Sequence, residues 1–221
     1  MLHGPSSPGV GGSELTHLLA RLAGAPPTGT GQVFAERLGH WLSWSDAIAL
    51  SAALNAGPTE TGPGRSPGQR GEEADFQRVR AALAASIAAG VRESASSPTD
   101  FGPHRRHAIA QQHAMQVAVG ALRQRLRDAL SRQSPALARL ATIDAVMEQT
   151  LGARERSLLG LVPLRLQAHF EREQRAAGDH RSGWLEAFRE HMALVLQAEL
   201  AHRLLPAHGL LDALRTHPRP T

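Results

Sequence analysis

A chain of 221 residues with 42 % apolar content can bury a real core, as one large helical domain or two small ones. All 24 basic residues are Arg, a bias first expected of a GC-rich genome, and the formal charge is only +4. Without Lys, Tyr or Cys to titrate in the alkaline range, the high isoelectric point says little about nucleic acid, and without Cys neither a disulfide framework nor a thiolate metal site can form.

The opening MLHGPSSPGVGG has no basic start and no apolar run, and nowhere do about 18 uncharged apolar residues follow one another. No signal peptide or membrane insertion is therefore expected, and the chain reads as cytoplasmic. Residues 1–12 read as a disordered tail, 13–56 as N-terminal helices, 57–71 as a flexible Gly/Pro-rich loop, 72–216 as a helical bundle and 217–221 as a C-terminal tail.

In chain order, Ser13 can cap a short helix through Leu15, Leu18, Leu19 and Leu22 that stops at Gly24 before Pro26 and Pro27. The region from about Thr30 to Asn55 should break near Gly39 to Ser45, where Ser43 and Asp46 have helix-start spacing. After the loop, Phe76, Val79, Leu83 and Ile87 share one helical face. A helix from about Pro103 to Ser131 carries Met115, Val119, Leu122, Leu126 and Leu130 as its stripe.

Ser134 and Pro135 then start a helix through Leu137, Leu140, Ile143 and Met147 that is predicted to stop at Gly152. The following segment should kink or break at Pro163 and end at Gly178. A last strong helix runs from about Gly183 to Leu205 on Leu185, Phe188, Met192, Leu196 and Leu200, with Pro206 halting it before a final turn. Nothing alternates with period two for long, so the expected fold is all-α, a multi-helix bundle of about seven or eight helices.

Few residues suggest chemistry. His104, His107 and His113 invite a metal reading, but their spacing completes no site, and solvated helix-end imidazoles are the expectation. Arg105, Arg106, Arg123, Arg125, Arg127 and Arg132 surround a single acid, Asp128, which would suit phosphates. No aromatic interleaving or recognisable helix-turn-helix accompanies them, so a solvated or partner-facing basic surface is favoured.

Asp144 lies beside an apolar stripe and is expected to join an interhelical Arg–carboxylate link, in preference to an acid/base pair with Glu155. Trp41 and Trp44 could share a face, as core or as a partner anchor, with core favoured. In the last helix Trp184, Leu194, Val195, Leu204 and Leu205 widen the apolar stripe, so that helix should be buried on more than one side, either centrally or against another chain. No catalytic or dinucleotide motif is present, and no cofactor is expected.

The segments WLSWSDAIALSAAL, SPALARLATIDAVM, RERSLLGLVP and AELAHRLLPAHGLLDAL together resemble a proteobacterial family known only as a domain of unknown function, over the full length of the chain. The resemblance implies no activity and no catalytic residues. It implies genomic company with a membrane protein akin to the proton-channel components of bacterial motors, and with an outer-membrane, peptidoglycan-binding type of protein. The expectation is thus a non-enzymatic interaction or scaffold protein whose partner is another protein, associated with the membrane. Self-association is a further option, and nucleic-acid binding through residues 103–132 is the alternative; a hydrolase comes a distant third. The interaction candidates are Trp41, Trp44, Arg123, Arg127, Trp184 and Leu194.

Overall fold

The structure is a computed structural model in which residues 14–23, 44–55, 69–93, 100–178 and 183–216 are described. Among them are seven helices and no strand: α1 Glu14–Ala23, α2 Trp44–Asn55, α3 Gln69–Glu93, α4 Gly102–Ser131, α5 Pro135–Leu159, α6 Val162–Ala177 and α7 Trp184–Thr216. The fold is all-α. The expected tails, the Gly24 stop, Trp41 and the loop up to residue 68 lie outside the described residues.

The stripes seen in the sequence become the core. Met115, Leu122, Leu126 and Leu130 of α4 are wholly buried, and Phe188, Met192, Leu196 and Leu211 of α7 meet them. α7 is the centre of the arrangement, packed by α1, α3, α4, α5 and α6, while α2 lies on α5. Leu15 and Leu22 of α1 enter the same core, and Arg172 of α6 donates to the Leu22 carbonyl, tying α1 to α6. Gln197 of α7 donates to the Ala84 carbonyl of α3 at 3.2 Å.

Several local signals act as anticipated. The Ser134 hydroxyl accepts from the Leu137 amide at 3.3 Å with Pro135 in the first turn, and Gly178 ends α6 with φ of 52°. The chain breaks at Gly160 and Leu161, so that Pro163 falls in the first turn of α6, where its missing donor costs nothing.

Three expectations are corrected. Gly152 does not stop α5, which continues to Leu159; its φ is not positive, and its bare backbone sits beside the Arg156 side chain, which a Cβ would crowd at 3.2 Å. Pro206 does not halt α7, which runs to Thr216. An internal proline costs roughly 3 kcal/mol, whereas each buried leucine returns about 1.5–3 kcal/mol, and Leu210, Leu211 and Leu214 beyond it are all buried. Finally, α3 starts at Gln69, inside the stretch expected to be loop.

Candidate functional site

The Arg-rich stretch of α4 splits in two. Arg123 and Arg127 are one helical turn apart, and so are Asp144 and Glu148 on α5, which places two cations opposite two carboxylates. Arg123 grips Asp144 with two bonds, Nε to Oδ2 at 3.0 Å and Nη2 to Oδ1 at 2.7 Å. Arg127 Nη1 reaches Asp144 Oδ2 at 3.0 Å and Glu148 Oε2 at 2.6 Å, and its Nη2 donates to Gln124 at 2.8 Å.

Burial, the largest influence, works to lower the pKa of Arg127. The hydrogen bonds and charges of Glu148 and Asp144 outweigh it, so the pKa is raised and the cation is locked in. The interhelical link expected at Asp144 is present, with Glu148 as a second carboxylate that the sequence reading missed. The expectation of a solvated or partner-facing surface at Arg123 and Arg127 is overturned, because both are buried and spend their charge internally. Of the others, Arg125 sits 3.7 Å from Asp75, while Arg105 and Arg106 are exposed.

A second buried charge lies nearby. Glu199 of α7 is fully buried and accepts from Gln112 at 2.9 and 3.1 Å and from both Nε and Nη2 of Arg203 at 2.9 and 2.8 Å. Gln112 also donates to the Leu159 carbonyl at 2.8 Å, so one amide joins α4, α5 and α7. A small cavity of ≈ 70 Å³ opens beside this knot, lined by Arg123, Arg156 and Arg203 and by Glu148 and Glu155. Its charges of both signs face one another, which suits bound water better than one ionic ligand.

The histidines depart furthest from expectation. His104 is not a solvated helix end: it is fully buried, neither ring nitrogen has a hydrogen-bond partner, and it packs against Phe101, Phe170 and Phe188. His107 is half-buried, and its imidazole lies so close to the α3 backbone that only a glycine, Gly90, fits beneath it. His113 is exposed. Across the α6–α7 interface, His169 Nε2 and His191 Nδ1 share a hydrogen bond at 3.0 Å, with Glu173 3.8 Å from the other nitrogen of His169. Among the described residues no three metal-ligating side chains gather.

Burial pushes His104 below the usual imidazole pKa, helped by Arg189 and His107 and opposed by Asp100. Burial also lowers His169, with His191 and Arg172 adding to it and Glu173 opposing. Both resist protonation more in the folded chain than in the unfolded one, whose imidazoles titrate near pH 6.5, so their stabilisation is full above that pH and is lost as pH falls below it. Each group can remove up to about 1.4 kcal/mol per pH unit in that window. Glu72, raised first by burial and then by Asp75, works in the opposite direction from a lower starting value. Urea titrations at pH 7.5 and pH 5.5 should show a clear loss of stability at the lower pH, and equal midpoints would refute neutral burial of these rings.

The remaining candidates separate by exposure. Trp184 is half-buried, its ring edge-on to Phe170 at 5.2 Å, and so closes the aromatic cluster. Trp44 opens α2 beside the expected cap position at Ser43. Within the widened α7 stripe, Val195 and Leu204 are buried, but Leu194 and Leu205 are 52 % and 60 % exposed, so the second apolar face is not covered by the bundle. Leu194, Ala201 and Leu205 are spaced seven and four apart, which aligns them on one solvent-facing side of α7. No helix among the described residues is long and apolar enough to cross a membrane.

No curated protein and no solved structure matches the chain. A family model described as "Protein of unknown function (DUF3348)" covers residues 1–216, and the chain belongs to that family.

Proposed function

We propose that this protein works by binding: a non-enzymatic helical scaffold or adaptor, accessory to an envelope-associated complex, that presents the outer face of α7 to another protein. The observation that carries this reading is the Leu194–Ala201–Leu205 face, an apolar strip on the helix that every neighbour but α2 packs against. Leucines half in solvent gain from burial at about 25 cal/mol per Å², and their placement on a helix packed by α1, α3, α4, α5 and α6 means little ordering is needed on binding. The envelope setting draws on the genomic company implied by the family resemblance.

Nucleic-acid binding is the weaker reading, because Arg123 and Arg127, the centre of the basic stretch, already pair with Asp144 and Glu148. Leu194→Glu should leave helicity and thermal stability unchanged, since the side chain is outside the core, yet weaken the partner complex at least about tenfold through a buried unpaired charge. Circular dichroism together with co-purification from the native host reads both quantities. A variant that unfolds would show that Leu194 is core, and one that keeps its partner at full strength would remove α7 from the interface. Self-association would appear as a concentration-dependent mass in light scattering that the same substitution abolishes.

A further inference from the structure

The cavity between α4, α5 and α7 is walled by two glycines, Gly120 and Gly152, each in a helix interior where glycine is less favourable than alanine. Packing does not require Gly120, since a side chain added there would meet nothing within 4 Å. Gly152 faces the guanidinium of Arg156, which folds back one turn and would lie 3.2 Å from a Cβ. One glycine thus leaves the cavity open, and the other makes room for a cation on its wall.

The charges around the cavity do not all cancel within the protein. Arg123 is taken by Asp144, Glu148 by Arg127, and Arg203 gives Nε and Nη2 to Glu199. The Arg203 side chain is only 9 % exposed, yet its Nη1 has no partner among the described residues. Arg156 and Glu155, the other two charges of the wall, form no ion pair with the described residues either. An ion of one sign would meet like charge on part of this lining, whereas a molecule carrying both signs can use all of it. Met115, Val119 and Pro206 add an apolar wall, and ≈ 70 Å³ has room for roughly five waters, hence for a molecule of about as many non-hydrogen atoms.

We propose that this cavity binds a short-chain α-amino acid as its zwitterion, the carboxylate held between Arg156 and Arg203 and the ammonium by Glu155, with the short side chain against Met115, Val119 and Pro206. The site uses other side chains than the Leu194–Ala201–Leu205 face, so the two assignments stand or fall separately. Titration of the full chain with L-alanine, followed by NMR at the Gly120 and Gly152 amides, provides the test. Propionate and ethylamine serve as the same molecule lacking one charge each.

Alanine should give saturable shifts at both glycines, and each singly charged probe should bind at least about tenfold more weakly. Arg156→Gln and Glu155→Gln, neither of which breaks an ion pair among the described residues, should each weaken alanine binding about tenfold with helicity unchanged. Gly120→Leu should stay folded, because its side chain enters open space, and should abolish binding by filling that space. Leu194→Glu should bind alanine as the unaltered chain does. No saturable shift with alanine, propionate binding as tightly as alanine, or alanine binding unchanged in both Gln variants would overturn the proposal. So would a folded Gly120→Leu variant that binds undiminished.

Discussion

Replacing Asp144 by Ala is expected to cost about 3–5 kcal/mol in urea-derived stability, because it takes the bidentate partner from the buried Arg123 guanidinium and one of the two carboxylates from Arg127. Glu148 cannot take over, since it is already engaged with Arg127 at 2.6 Å and reaches Arg123 only at 3.4 Å. A well-packed apolar replacement of a buried ion network is often neutral, so changing Arg123 and Arg127 to Met together with Asp144 to Leu should recover most of the loss. If Asp144→Ala cost less than about 1 kcal/mol, in the range of surface pairs, the network would have to be solvated rather than buried.

Phe188→Ala is the other change of comparable size, with an expected loss of about 3–5 kcal/mol. Phe188 is wholly buried and meets Phe101 at 6.2 Å, Phe170 at 5.0 Å, His104 at 5.2 Å and His169 at 5.8 Å between ring centres, so it joins α4, α6 and α7. The void would border His104, whose two nitrogens have no partner, and a water molecule can enter a void that offers polar atoms. The imidazole pKa of His104, followed by NMR, should then climb back toward the ordinary histidine value. Stability lost without that climb would mean that the neighbours collapse into the space and keep it dry.

The parts of the fold that were readable from sequence are those governed by neighbours in the chain. The α4 stripe from Met115 to Leu130, the Ser134–Pro135 start and the Gly178 stop depend on helical periodicity and capping, and each appears where expected. Gly152 and Pro206 misled because their local penalties are smaller than the packing gained by α5 and by the end of α7. Periodicity alone could not show which polar residues turn inward.

His104 and Arg123 therefore looked like surface groups. One overlooked signal did exist: Arg123 and Arg127 four apart on one helix, Asp144 and Glu148 four apart on the next, joined by a short turn, match as opposed pairs. The Gln112–Glu199 knot had no such sign, since its partners lie 87 residues apart, and the α6–α7 histidine bond is a single pair with no second matched pair to mark it. The outward positions of Leu158, Leu161 and Leu164 at the α5–α6 corner were equally unreadable, because the helix break at Gly160 and Leu161 interrupts the periodicity that would separate them from the buried Leu159 and Val162.

The central claim, that α7 carries a partner-binding face, is tested most directly by placing a photo-crosslinking residue at position 201 in the native host, with position 171 of α6, also exposed, as the control. The account predicts a discrete protein adduct at 201 that is lost when Leu194 is changed to Glu, and no such adduct at 171. No adduct at 201, or the same products at both positions, would contradict it.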